Sequence, residues 1–315
     1  MIKFTIKIGL LPGLVVVWLM SNQVPAQPAD EETVLSGARF TNGLFEKWID
    51  EYQILYPGRK FRIEDKGAAE FSNADLIVHG RRLSKSETDK DREYITIAKY
   101  AILIVSNENS PFADYYGKKG INTDQIKQVF FFDPIENVDK QELKVPYNVY
   151  TRLQLAPSPI VFASSFGYGQ QQIHGRAIAG TDLHLIMAVL SDSLGITYIP
   201  LPLVYSPETG MINAGLKVIP VDVDGNGRVS DDEHFYDSIS SVLEKLSARR
   251  PDNIPVAEVQ VSILRKGARP EAVQFLTWIL DGGQKSLARF GYLNPDPKIL
   301  ENQLLKLAQL ALDQP

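Results

Sequence analysis

The sequence predicts an α/β protein whose strands and helices alternate along most of its length. Three observations support this fold class. Apolar residues recur every third or fourth position in several segments, which is typical of amphipathic helices, and short β-prone runs lie between those segments. The 315 residues exceed one typical domain and suggest two lobes or one large α/β unit. The 44% hydrophobic and 23% charged content is ordinary for a globular protein.

The N-terminal segment has the features of a signal peptide. Lys3 and Lys7 form a positive start, and the apolar run Ile8–Met20 is short for a membrane span. We expect cleavage near Ala26, so that residues 1–26 are removed and the mature chain is periplasmic. A retained membrane anchor is the alternative. The chain has no cysteine, which excludes disulfide bonds and a lipid-modified N-terminal cysteine.

The first half of the chain opens with a strand, a helix and a strand. A helix is predicted at Gly43–Tyr56, because its apolar residues recur every third or fourth position and so share one face. Pro57 and Gly58 are expected to end that helix. Ser106–Pro111 is predicted to cross between the two lobes. Strands are predicted at Lys60–Glu64, Asp75–His79, Tyr94–Val105 and Tyr147–Leu153, and helices at Thr123–Phe130 and Ile160–Phe166.

The second half continues the alternation. Strands are predicted at Ile196–Leu201, Leu216–Val221 and Val259–Leu264, and helices at Leu183–Leu194, Phe235–Leu246, Ala272–Leu280, Gln284–Phe290 and Ile299–Leu312. Trp48 and Trp278 lie on the apolar faces of their predicted helices, so we expect both in the core. Alternating strands and helices indicate a largely parallel sheet in each lobe.

The twelve residues Asp222–Glu233 match the calcium loop of an EF-hand. The predicted ligands are Asp222, Asp224 and Asn226 at loop positions 1, 3 and 5, the carbonyl of Arg228 at 7, Ser230 at 9 and Glu233 at 12, with Gly227 at the sharp turn. The alternative is a solvated acidic turn. Because a strand precedes the loop and only one helix follows it, we expect calcium to act as a structural clamp rather than in a paired sensor.

Composition and motifs exclude several functions. The net charge of −5 argues against a nucleic-acid partner. The four histidines are scattered and form no zinc motif, and neither a serine nucleophile elbow nor a phosphate loop of the Walker kind is present. We therefore do not expect an enzyme, although a site assembled from distant residues is the alternative.

Several segments resemble the periplasmic phosphate-binding proteins of ABC transporters. Ser36–Phe40 and the following Leu44–Tyr52 resemble the anion loop and first helix of that family. Ala74–Gly80, Val149–Arg152 and Phe290–Leu293 resemble its second ligand loop, its arginine-ending strand and its closing turn. The resemblance implies a type II periplasmic binding protein fold with two lobes, mixed but mostly parallel sheets and a ligand cleft. Lobe 1 would comprise residues 27–105 and 206–315, and lobe 2 residues 106–205.

The resemblance also implies a small-anion ligand, phosphate or a related oxyanion, with an ABC transporter permease or another membrane protein as partner. Arg39 and Phe40 take the first-loop contacts, and Arg152 takes the place of the arginine that clasps the anion. His79 and Arg81 lie where a strand ends, which is where open α/β sheets bind ligands. Ser158 retains a hydroxyl for the same site.

Three departures from the family leave a second function open. Pro157 and Pro159 each remove a backbone N–H donor from the expected anion loop. Gly80 stands where the family has an aspartate that accepts a hydrogen bond from protonated phosphate. The rival hypothesis is an interaction or scaffold protein that retains the fold but has lost its anion site.

Overall fold

The described part of the chain forms a mixed β-sheet with helices packed against it. The computed structural model describes residues 32–64, 74–132, 143 and 145–312. The predicted signal segment, residues 1–26, lies outside the described residues. No helix in the described ranges combines the length and the apolarity needed to cross a membrane.

The described strands follow one path across the sheet. They are β1 (Thr33–Gly37), β2 (Phe61–Glu64), β3 (Leu76–His79), β4 (Arg92–Asn107), β5 (Asn148–Arg152), β6 (Arg176–Ile178), β7 (Gly195–Pro200), β8 (Leu216–Val218) and β9 (Val256–Leu264). Their order is β2-β1-β3-β9-β4-β7-β5-β6, and β8 pairs with β4 beside this path.

The helices connect these strands and cover the sheet. They are α1 (Asn42–Leu55), α2 (Pro111–Lys119), α3 (Thr123–Phe131), α4 (Pro157–Ser165), α5 (Asp182–Leu190), α6 (Leu201–Val204), α7 (Ile239–Ala248), α8 (Pro270–Asp281) and α9 (Pro297–Leu312). Trp48 on α1 is fully buried, as predicted, and its indole N–H donates to the carbonyl of Gly283 at 2.8 Å. Trp278 on α8 is partly buried and packs against the same core.

Strand β4 joins two groups of strands. From Arg92 to Ala101 it pairs with β9, and from Ile102 to Ser106 it pairs with β7. The change of partner therefore lies inside β4, between Ala101 and Ile102, whereas the sequence predicts the crossover between lobes at Ser106–Pro111. The β-prone sequence continues to Asn107, and Ser110 then caps α2 by accepting a hydrogen bond from the N–H of Ala113. The predicted lobe boundaries stay a prediction.

The sheet is mixed, but it is not mostly parallel. Strand β1 pairs parallel with β2 and β3, and β5 pairs parallel with β6 and β7. Strand β9 is antiparallel to β3, and β4 is antiparallel to β7, β8 and β9. The alternation of strands and helices predicted parallel pairs, whereas β4 and β9 both run against their neighbours.

Two helices predicted in the second half of the chain differ from what the structure shows. Helix α7 begins at Ile239 and not at Phe235, because Ser238 accepts a hydrogen bond from the N–H of Ser241 and caps it there. The predicted helix at Gln284–Phe290 consists of two short 3-10 turns that end at Gly291, whose φ is 81°. A positive φ suits glycine and stops the helix.

Candidate functional site

The two groups of strands meet where β3 ends and α4 begins. Gly80 follows β3, and a Cβ placed on it would lie 2.7 Å from Phe40 Cε1 and 2.7 Å from Pro157 Cβ. Only a glycine allows so close an approach. The hydroxyl of Tyr100 donates to the carbonyl of Gly80 at 2.7 Å, and the hydroxyl of Tyr292 donates to the carbonyl of Phe40 at 3.1 Å. Phe40, Gly80 and Pro157 therefore pack in direct contact at this point.

The predicted ligands Arg152 and Ser158 lie together in this region, and an acid that the sequence interpretation missed lies between them. The carboxylate of Asp182 accepts a hydrogen bond from Ser158 Oγ at 2.6 Å, and the same oxygen lies 3.4 Å from Arg152 Nη1. The side chains of Arg152 and Asp182 are 11% and 8% exposed. We call these three residues the Arg152 cluster.

Local sequence explains how the Arg152 cluster forms. Strand β5 ends at Arg152, Pro157 occupies the first turn of α4, and Ser158 follows it on that helix. Asp182 is the first residue of α5, where a negative charge near the helix N-terminus is favourable. The intervening loop is held by Gln170, whose amide donates to the carbonyl of Gln154 at 2.8 Å. Two helix N-termini thus lie beside the carboxyl end of one strand.

One donor of the Arg152 cluster has no partner. The Nε of Arg152 is buried and makes no hydrogen bond to any described residue. A buried, unpaired donor of a charged group is costly, because its hydration is lost without replacement. The guanidinium therefore keeps one donor that no described residue engages.

The pKa of Asp182 is shifted upward from its usual value. Burial raises this pKa because it removes the carboxylate from water, while the hydrogen bond from Ser158 and the charge of Arg152 act in the opposite direction. The first effect is larger. Asp182 therefore takes up a proton more readily than an exposed aspartate does.

The other predicted anion ligands do not join the Arg152 cluster. Arg39 is exposed in a short turn before α1, and Phe40 packs its ring against Tyr100 with 4.6 Å between the ring centroids. Arg81 pairs with Glu87, to which its Nη1 donates at 3.0 Å. Arg39 thus lies at the surface, Phe40 packs in the core and Arg81 forms an ion pair, all apart from the Arg152 cluster.

His79 faces the sheet. Its Nε2 lies 3.0 Å from Ser262 Oγ, and its ring centroid lies 5.5 Å from that of Tyr94. Burial is the largest of the effects that lower the pKa of His79 to about 4, and the positive charges of Arg92 and Arg81 contribute in the same direction. The imidazole is therefore neutral near pH 7 and does not supply a positive charge for an anion.

Acid is expected to destabilise the protein through His79. The pKa of His79 is about 4 in the folded protein, against 6.5 for an ordinary histidine. The contribution of neutral His79 to the free energy of unfolding is therefore complete above pH 6.5 and is lost as the pH falls toward 4. The expected loss is about 2 kcal/mol at pH 5. Urea unfolding at pH 7.5 and pH 5 should show this loss in the wild type and in His174→Gln, whose side chain is exposed, but not in His79→Gln. An equal loss in all three proteins would contradict the assignment.

The predicted calcium loop follows β8 and contains a cluster of carboxylates. Three carboxylate oxygens, one each from Asp222, Asp224 and Glu233, lie within 4.8 Å of one another. Asp222 is 2% exposed and Glu233 is 3% exposed. The turn at Gly227 has a φ of 77°, as the sharp bend of such a loop requires.

Hydrogen bonds between residues of Asp222–Glu233 hold the loop in its conformation. Asp222 Oδ1 accepts from the N–H of Gly225 at 2.8 Å, and Asp222 Oδ2 accepts from the N–H of Gly227 at 2.9 Å. Glu233 Oε2 accepts from both the N–H and the hydroxyl of Ser230 at 2.9 and 2.8 Å. Asn226 Oδ1 accepts from the N–H of Arg228 at 3.0 Å. The side chains of Asp222, Asn226 and Glu233 thus accept backbone N–H groups of the loop itself.

The two ends of this loop differ from the sequence prediction. A 3-10 turn, Asp231–Glu233, closes the loop, and α7 begins only at Ile239. The loop is anchored instead on the segment between α2 and α3, because the N–H of Asp222 donates to the carbonyl of Ile121 at 3.1 Å. The N–H of Val229 donates to the carbonyl of Lys118 at 3.3 Å. The single helix predicted to follow the loop is present, but it begins at Ile239 and not at the predicted Phe235.

Solved structures identify the class of fold. A phosphate ABC transporter substrate-binding protein from Clostridium perfringens, with bound phosphate, is similar to this chain with a TM-score of 0.61 and 14% identity. The similarity covers 84% of this chain and all (100%) of that one. An ABC-type phosphate transport receptor from Vibrio cholerae gives a TM-score of 0.55 at 14% identity, with 84% and 100% of the two chains covered.

A regulatory protein has the same fold. The CcmR regulatory domain from Synechocystis, in complex with 2-PG, is similar with a TM-score of 0.50 and 12% identity over 79% of this chain and 95% of that one. No protein-family model and no curated protein sequence matches the chain. The chain thus has the mixed α/β, two-domain fold seen in these substrate-binding proteins.

Proposed function

We propose that this protein is a periplasmic solute-binding protein that holds a small oxyanion at the Arg152 cluster. The observation that carries the proposal is the buried Nε of Arg152, which has no hydrogen-bond partner among the described residues. An arginine presents its N–H groups as a planar fork that matches the oxygens of phosphate, sulfate or a carboxylate. A buried fork with a free donor is suited to such a ligand.

The elements around Arg152 support an anion as well. Helices α4 and α5 both begin beside this residue, and helix N-termini favour negative charge. Ser158 adds a hydroxyl within the same group. Entry of a ligand requires the contact between Gly80 and Pro157 to open, so the described conformation corresponds to a closed cleft.

The similar proteins favour the same class of ligand. The Clostridium perfringens protein holds phosphate, and the Synechocystis domain holds 2-PG. By analogy, we propose that the bound anion is delivered to an ABC transporter permease or to another membrane protein, and that the protein catalyses no reaction itself.

Calorimetric titration tests anion binding. The wild type is titrated with phosphate, sulfate, molybdate and tungstate, and at least one is expected to bind with one-to-one stoichiometry. Arg152→Met should weaken that binding at least about 100-fold, since a charged, bidentate donor is lost. Arg249→Met, which removes an exposed arginine after α7, should leave the binding unchanged. Binding that survives in Arg152→Met would place the ligand elsewhere.

The second candidate function is an interaction protein with the same fold. Two observations favour it. Asp182 pairs with Arg152 and so balances the charge of the guanidinium without a ligand, and Pro157 lies in close contact with Gly80. The absence of heat with any oxyanion, together with recovery of a specific partner protein, would favour this candidate over solute binding.

We also propose that the Asp222–Glu233 loop binds a structural calcium ion. Calcium prefers six to eight oxygen ligands, and the predicted set is Asp222, Asp224, Asn226, the carbonyl of Arg228, Ser230 and Glu233. The gathered carboxylate oxygens support this proposal. Because the loop is tied to the α2–α3 segment, calcium would secure that connection rather than switch the cleft.

A further inference from the structure

The chain contains two Asn–Gly bonds, and the structure holds them in different backbone conformations. Asn42 and Gly43 begin α1, where Asn42 has the helical angles φ −54° and ψ −47° and donates its N–H to the carbonyl of Arg39. Asn226 and Gly227 lie in the exposed turn of the Asp222–Glu233 loop, where Gly227 has a φ of 77°. The same dipeptide is therefore helical at one position and part of an irregular loop at the other.

An Asn–Gly bond can modify itself without an enzyme. The backbone nitrogen of the glycine, which no Cβ shields, attacks the side-chain carbonyl carbon Cγ of the asparagine. The new N–Cγ bond closes a five-membered succinimide ring while the Cγ–Nδ2 bond breaks, and Nδ2 leaves as ammonia with the proton that the glycine nitrogen loses. Water then opens the ring at either of its two carbonyls, which yields aspartate or isoaspartate. The net reaction consumes one water and involves no oxidation or reduction.

We propose that Asn226 is a site of spontaneous deamidation in the folded protein and that α1 protects Asn42 from the same reaction. Asn226 Oδ1 accepts from the N–H of Arg228 at 3.0 Å, and this donor stabilises the negative charge that develops on Oδ1 when Cγ is attacked. The N–H of Gly227 donates to Asp222 Oδ2 at 2.9 Å, so a carboxylate lies within reach of the proton that the attacking nitrogen loses.

The surroundings of the Asn226–Gly227 bond favour the reaction further. Asn226 Nδ2 donates to Asp224 Oδ2 at 2.8 Å, which keeps the side-chain amide folded back over its own turn instead of extended into solvent. A Cβ placed on Gly227 would meet no atom within 4 Å, so the bond is open to the water that hydrolyses the ring.

The helix explains why Asn42 is protected. In an α-helix the Cα–Cβ bond tilts toward the N-terminus, whereas the next backbone nitrogen lies toward the C-terminus. The helical angles of Asn42 therefore keep its Cγ away from the nitrogen of Gly43. Attack requires the first turn of α1 to open locally, and this opening has a free-energy cost that Asn226 does not incur.

Both products would alter the Asp222–Glu233 loop. Aspartate at position 226 adds a negative charge beside Asp222 and Asp224. Isoaspartate inserts one carbon into the main chain before Gly227 and displaces the acceptor that the N–H of Arg228 uses. The inference goes beyond the proposed anion site and does not depend on it or on calcium.

Peptide mapping of the incubated protein tests the inference. The folded full chain is kept at pH 7.5 with a chelator and then digested with trypsin, which places the two Asn–Gly bonds in separate peptides, residues 40–47 and 218–228. Mass spectrometry detects the loss of the side-chain amide in each. In the folded protein we expect residue 226 to deamidate at least about 10-fold faster than residue 42. In urea the helix is lost, and the two bonds should react at similar rates.

A matched variant identifies the reacting residue. Asn226→Gln keeps an amide but would have to close a larger, slower-forming ring, so it should abolish deamidation in residues 218–228 and leave residues 40–47 unchanged. Reaction of residue 42 as fast as residue 226 in the folded protein would overturn the inference. So would an unreactive residue 226 over a time in which the urea-unfolded chain deamidates completely. A preference for residue 226 that persists unchanged in urea would assign the difference to flanking sequence and would equally contradict it.

Discussion

Arg152→Met is expected to lower the free energy of unfolding by about 3–5 kcal/mol at pH 7.5. The substitution leaves the carboxylate of Asp182 buried with Ser158 as its remaining described side-chain partner. A buried charge that loses its counter-charge is among the most destabilising changes in a protein. Urea unfolding measures the effect, and protonation of Asp182 should make it smaller at low pH, since burial already raises the pKa of that residue.

A double-mutant cycle separates the loss of this ion pair from other effects of the substitution. The double variant Arg152→Met with Asp182→Asn should be more stable than the sum of the two single changes predicts, by at least about 1 kcal/mol. Arg81→Met is the comparison, because it removes a more exposed arginine whose partner Glu87 is 41% exposed. Its expected cost is below about 1 kcal/mol. Additivity within about 0.5 kcal/mol in the Arg152 cycle would show that the two residues are not coupled.

Calcium is expected to stabilise the wild type by about 2.7 kcal/mol when the free ion is at 100 times its dissociation constant. A chelator should remove this increment and lower Tm, because an ion that binds the folded loop and not the unfolded chain shifts the equilibrium toward the fold. Asp222→Ala should abolish the increment. That variant also loses the acceptor of the Gly225 and Gly227 N–H groups, so the calcium-dependent part of the stability is the relevant readout.

The loop offers a matched control for this experiment. Asp232 lies within the same twelve residues, its side chain is 97% exposed, and it occupies no ligand position of the motif. Asp232→Ala removes the same charge and should keep most of the calcium increment. If calcium leaves the Tm of the wild type unchanged, the loop is an acidic turn and the calcium proposal fails.

Local pattern in the sequence predicts much of the fold. The apolar spacing of Gly43–Tyr56 identifies α1 almost to the residue, and the β-prone run Tyr94–Val105 identifies β4. The change of partner within β4 is not encoded by periodicity, because one continuous strand pairs with β9 and then with β7. Strand order and direction are set by packing between distant elements.

The candidate sites likewise contain residues that a sequence pattern predicts and residues that only the packing of distant elements brings together. The acidic cluster at Asp222–Glu233 can be predicted because its carboxylates follow one another in a linear motif, and the structure gathers them. Arg152 and Ser158 were found through resemblance to a family. Asp182 was missed because it reaches the cleft only when α5 packs beside β5, and its one local signal is an acid after Thr181 at the start of an apolar helix.

Crystals grown with tungstate would test the central claim, that the cleft at Arg152 binds an oxyanion, most directly. Tungsten scatters anomalously, so its position is found without assumptions about the surrounding side chains. The proposed function predicts one anomalous peak within hydrogen-bonding reach of the Arg152 guanidinium and the Ser158 hydroxyl, with its oxygens accepting from Nε. A fully occupied contact between Arg152 and Asp182 with no peak in the cleft would contradict it.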